Sequence, residues 1–144
     1  WLLVGLAGIP SSIIWMRLAH KYGNVNIIII AMIIQIIGIL IPTLSSNLYL
    51  NLLSGILYGG TFVGLVALFM HLGGKLAGKN PVMLMGALTT AYSIGQVSAP
   101  LYAVNLTEQS GNYNQALYVT AIIVFSGVLM LLSTKIFNIK HLHP

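Results

Sequence analysis

The chain has 144 residues, 58% of them hydrophobic and 5% charged, with six Lys and Arg against a single acid for a formal net charge of +5. So little polar surface cannot cover a soluble domain of this size, and lipid is the expected solvent for most side chains. The positive residues are scattered over short loops without a basic stripe or interleaved aromatics, which excludes nucleic acid as a partner; without cysteine there is no disulfide framework or thiolate metal site, and neither a cofactor nor a metal is expected.

Crossing a hydrocarbon core about 30 Å thick takes roughly 20 helical residues, and a helix satisfies every backbone group internally. Five apolar segments are predicted as transmembrane helices, at residues 1–15, 25–44, 48–71, 81–106 and 113–133, followed by a tail at 134–144. A barrel is excluded because runs such as Ile27 to Ile30 and Ala31 to Ile34 do not alternate. The first segment is short, begins at Trp1 and lacks the charged leader of a signal peptide, so it reads as a helix cut near its outer end and the chain as the C-terminal part of something longer. With short loops and no linker, the expected fold is one all-α, polytopic transmembrane helix bundle.

The cations fix a direction. Arg17 and Lys21 follow the first segment, Lys75 and Lys79 the third, and Lys135 and Lys140 the fifth, whereas Glu108 lies in a loop of the opposite side. Loops rich in Lys and Arg stay cytoplasmic, which predicts a cytoplasmic C-terminal tail and anionic headgroups of the bilayer as neighbours.

The second segment is apolar around nearly its whole circumference, suits lipid contact and reads as scaffold; its lone amide, Gln35, is expected in an interhelical hydrogen bond. In the third, Gly55 and Gly59, then Gly60 and Gly64, repeat at four residues and let neighbouring backbones approach closely. Ser54, Tyr58 and Thr61 share a face there, which either lines a water-filled cavity or packs on another helix. The fourth carries the strongest constellation, because Thr89, Ser93, Gln96 and Pro100 form one stripe with Tyr92 beside it. Pro100 cannot donate to the carbonyl of Gln96, so a freed carbonyl, a side-chain amide and a helix kink are expected at one place near mid-membrane. The fifth is similar to the second, with Gln115 and Tyr118 as anchors at its outer end.

Read together, the loop Arg17-Leu18-Ala19-His20-Lys21-Tyr22-Gly23, the span from Gly55 to Gly64 and the run from Tyr92 to Pro100 resemble the major facilitator superfamily, and within it the bacterial YbfB/YjiJ-type permeases. The loop is similar to the superfamily's Gly-x-Leu-Ala-Asp-Arg-x-Gly motif, with Leu18, Ala19, Lys21 and Gly23 retained, Met16 in place of the leading Gly, and His20 in place of the Asp, so the acidic half of the usual charge relay is absent. The run ending at Pro100 resembles a Gly-x-Gly-Gln-x-x-Gly-Pro pattern in which Ser93 and Ala99 stand for two of the glycines. The resemblance implies helices eight to twelve of a twelve-helix permease of the bacterial inner membrane. Its partners would be the bilayer, a small-molecule solute and the N-terminal helices of the same transporter, and it would work by alternating access. It also implies that the third and fourth segments line the central cavity and that the second and fifth face lipid.

No Asp, Glu, Lys or Arg falls inside the five segments, and His71 reads as an interfacial histidine beside Lys75. His141 and His143 are two potential metal ligands without a third, and the sequon at Asn105 falls in an outward loop. With no activated nucleophile and no carboxylate pair, an enzyme is not expected. The functional expectation is part of a secondary active transporter for a small organic solute; the alternative is a membrane scaffold, an assembly subunit or a non-functional transporter remnant.

Overall fold

The structure is a computed structural model that describes residues 2–141, and side chains through Ile136. Trp1, His143 and the side chains of Lys140 and His141 lie outside the described residues. Five helices follow one another: α1 Leu2–Tyr22, α2 Asn24–Leu44, α3 Leu48–Leu76, α4 Pro81–Ser110 and α5 Asn114–His141. There is no strand among the described residues.

Several helices run past the ends set by the apolar segments: α1 through Arg17 and Lys21, α3 beyond His71 through Lys75, α4 beyond Leu106 to Ser110, and α5 into the expected tail. Charge ends an apolar run, but Lys and Arg are good helix formers and do not end a helix. The stops are conformational. Gly23, Gly78 and Gly111, with φ of 92°, 53° and 71°, follow α1, α3 and α4 in a backbone region that a side chain rarely tolerates. Starts are equally local: Pro81 opens α4, and the side chain of Asn47 accepts from the Tyr49 amide at 2.9 Å to cap α3. The sequon at Asn105 consequently lies within α4, with the Asn105 amide bonded to the carbonyl of Leu101, and not in a loop.

Among the described residues, four helices are long and apolar enough to cross a membrane: Leu2–Tyr22, Asn24–Leu44, Leu48–Leu76 and Asn114–Ile136. α4 is long enough, at 30 residues, but Thr89, Thr90, Ser93, Gln96 and Ser98 make it less apolar than the others.

The core lies among α1, α2, α3 and α5, where Ala19, Ile28, Ala31, Met32, Leu68 and Val128 are buried together. α2 is thus the helix most enclosed by its neighbours, which corrects its reading as a lipid-facing scaffold. It turns outward along Asn26, Ile30, Ile33, Ile37 and Leu44, one stripe at helical spacing. An all-apolar helix suits lipid and a protein interior equally, so composition could not separate the two. α4 has no buried residue at all and rests on α3 and α5 at the side of the bundle.

Because lipid tails are as apolar as leucine, close packing and interhelical hydrogen bonds hold such a bundle together. At Gly59 a Cβ would collide with the backbone of Val4, and at Gly64 with the ring of Trp15; the indole N–H of Trp15 donates to the carbonyl of Gly60 at 2.6 Å. At Gly55 a Cβ would lie 3.5 Å from the Val4 side chain, an ordinary contact. α2 meets α3 at Gly38, whose carbonyl accepts from the Ser54 hydroxyl at 2.6 Å. Pro42, four residues on, has no amide hydrogen to give that carbonyl, so Ser54 supplies the donor that the proline removes.

Candidate functional site

The residues singled out on α3 divide between two neighbours. Ser54 is buried against α2 through its bond to Gly38. Thr61 is buried too, its hydroxyl returned to its own helix at the carbonyls of Leu57 and Tyr58. Only Tyr58 turns toward α4: its ring stacks on Phe62 at 5.5 Å, and Phe62 in turn meets Tyr92 of α4 at 6.3 Å. These three rings link the middle of α3 to the stripe.

On α4, Thr89, Ser93 and Gln96 are exposed and Tyr92 is half-buried. Thr89 bonds to the carbonyl of Met85 and Ser93 to that of Thr89, each at 2.9 Å, whereas the Gln96 amide donates to the Tyr92 hydroxyl at 2.8 Å. The Tyr92 oxygen accepts there and keeps its own proton to donate. The helix continues through Pro100, and no side chain among the described residues donates to the Gln96 carbonyl that Pro100 leaves free. The two prolines therefore differ, since the carbonyl freed by Pro42 is paired across a helix interface and the one freed by Pro100 lies on an exposed face.

Behind Tyr92 is a cavity of about 290 Å³ with an almost wholly apolar wall, formed by Met32 and Gln35 of α2, Phe62 and Phe69 of α3, Leu88 of α4 and Val124 of α5 among others. Gln35 and Tyr92 bring the polar groups of that wall, and Gln35 its one amide. The side-chain oxygen of Gln35 is buried without a hydrogen-bond partner, so the interhelical bond expected for it is not made. The signal in the sequence was the amide itself, isolated in a run of isoleucines; what was missing was the knowledge that the facing side chains are apolar.

At the end of the bundle that carries Arg17, the loop-motif residues are arranged around a histidine pair. His20 contacts the carbonyl of Met16 at 2.7 Å through Nδ1, and its ring lies 5.5 Å from that of His71. Lys21 sits over the ring of Tyr22, Arg17 is exposed, and Gly23 makes the left-handed turn into α2. Ala19 is buried and Leu18 packs on the core, so the small and apolar positions of the motif seat α1 while its polar ones stay at the surface.

The sequence is matched over residues 1–132 by a family model described as an uncharacterised MFS-type transporter, YbfB. The chain belongs to that family. No curated protein and no solved structure matches it significantly. As an MFS-type transporter it is an integral membrane protein, and its helices are those of a major-facilitator bundle.

Proposed function

We propose that this transporter moves a small organic solute across the bacterial inner membrane by alternating access, and that its five helices are the eighth to twelfth of the fold, with α4 crossing the membrane as the others do. The observation that carries this reading is α4 itself: a long helix with no buried residue that presents Thr89, Ser93 and Gln96, and a proline-freed carbonyl, on exposed faces. Polar groups at membrane depth are unfavourable against lipid, so the face that bears them belongs against a water-filled path or another helix. Broken or proline-interrupted helices at such places are where transporters hold solutes. The cations at the ends of α1, α3 and α5 support a cytoplasmic C-terminus.

A second reading, a scaffold or assembly subunit or a remnant, is favoured by one observation: the hydroxyls of Thr89 and Ser93 are already satisfied within α4. Water access separates the two. In a background without other reactive cysteines, and these 144 residues have none, Ser93→Cys and Gln96→Cys react with a membrane-impermeant thiol reagent if they line a path, and a transported solute slows the reaction. Both cysteines inert, with a cysteine at Glu108 reactive, would leave the packing role.

A further inference from the structure

The cavity among α2, α3, α4 and α5 has features of a ligand site distinct from the exposed stripe of α4. Its wall is apolar, it is partly open, and the one amide in it belongs to a side chain only 9% exposed. A buried, unpaired amide oxygen is costly, and a cavity whose only function is to be a packing defect does not need one. Rotation of the amide about its last torsion exchanges oxygen and nitrogen, so Gln35 can present an acceptor or a donor to a guest, and Tyr92 holds a free hydroxyl proton at the α4 wall.

We infer that this cavity binds a compact, neutral, ring-sized amphiphile, which buries its apolar body against Met32, Phe62, Phe69 and Leu88 and hydrogen-bonds its single polar group to Gln35. Size and charge both follow from the walls. A cavity of about 150 Å³ holds benzene, and at about 290 Å³ this one has room for roughly two fused rings. No charged side chain lines it, so an ion entering would lose its hydration without a counter-charge. The inference does not depend on whether Thr89, Ser93 and Gln96 line a transport path, because none of the three lines the cavity.

The test uses the purified full chain in detergent, with equilibrium dialysis of 2-naphthol against protein-free micelles. Saturable binding of 2-naphthol is expected, with no saturable binding of the anion 2-naphthoate. Gln35→Met, which keeps the volume and removes the amide, weakens 2-naphthol by roughly three- to tenfold, the size of one hydrogen bond, and leaves naphthalene unchanged. Val124→Phe, which fills the cavity from α5, abolishes saturable binding of both; helical circular dichroism and a thermal melt check that each variant is folded. Equal 2-naphthol affinity in the wild type and both folded variants would overturn the site. Displacement of 2-naphthol by dodecanol at equal concentration would overturn the compact-ring assignment and point to an acyl chain from the membrane.

Discussion

α2 and α4 invert the link between polarity and position that lipid as solvent would impose. The more apolar helix is the enclosed one, and the helix with the polar stripe has no buried residue. In water that would be ordinary; in lipid it marks two different roles. α2 is held by shape, through Ile28, Ala31 and Met32 against α3 and α5, and exposes one stripe that runs from Asn26 through Ile30, Ile33 and Ile37 to Leu44. α4 leans on its neighbours with few residues and carries its chemistry on the outside. The difference teaches that in a membrane bundle burial follows packing geometry, whereas polarity reports where a helix expects something other than lipid.

The sharpest way to break this comparison is at the places where shape alone acts. Gly59→Leu pushes a side chain into the backbone of Val4, and backbone cannot swing aside; the expected loss is about 3 kcal/mol, at the upper end for overpacking. Gly60, where a Cβ meets nothing within 4 Å, tolerates alanine with little effect. Denaturation in mixed micelles followed by circular dichroism compares the two, and equal losses would mean that the α1–α3 contact is not the tight one. Next in size, Ile28→Ala on α2, fully buried, costs roughly 2 kcal/mol through the void it leaves, since lipid removes much of the transfer term. Ile94→Ala on α4, 64% exposed, costs close to nothing by the same measurement. If Ile94 proved as costly as Ile28, α4 would be as firmly packed as α2 and the contrast would collapse.

Much of this was legible in the sequence, and the failures have a common cause. Apolar runs and loop cations mark the helices, and of the repeats Gly55/Gly59 and Gly60/Gly64 one member each, Gly59 and Gly64, makes a close helix contact, whereas Gly55 and Gly60 do not. The stripe of Thr89, Ser93 and Gln96 was equally plain. What could not be read was who faces whom. Ser54, Tyr58 and Thr61 share a face by spacing, yet Ser54 serves α2, Thr61 its own helix and Tyr58 the ring chain to α4. The interhelical hydrogen bond expected of Gln35 is not made; partners are invisible in one dimension. α1, α3, α4 and α5 extend beyond the apolar segments because the end of apolarity does not end a helix; glycine at positive φ does that work after α1, α3 and α4.

Gln35 offers a third way to sharpen the comparison, because it is a polar group placed in the helix held by shape. If its oxygen is unpaired in the empty protein, Gln35→Met removes a desolvation cost and stabilises the fold by roughly 1 kcal/mol. Stability gained together with weaker naphthol binding is the pattern expected of a side chain retained for a ligand. A destabilised Gln35→Met, with unchanged binding, would mean that the amide has a structural partner after all.

The smallest effect concerns the two prolines. Ser54→Ala leaves the Gly38 carbonyl, already deprived of its backbone donor by Pro42, without a partner; the expected cost is about 0.6 kcal/mol and at most about 1.7, the range of hydrogen bonds between membrane helices. Ser93→Ala on α4 removes only a bond within one helix and should not be measurable. The explanation for Ser54 is specific enough to be checked by a double-mutant cycle. In a Pro42→Ala background the backbone N–H at position 42 can reach Gly38, so Ser54→Ala should then cost less than it does beside the proline. An unchanged cost would show that Ser54 matters for packing and not as the donor that replaces the missing amide.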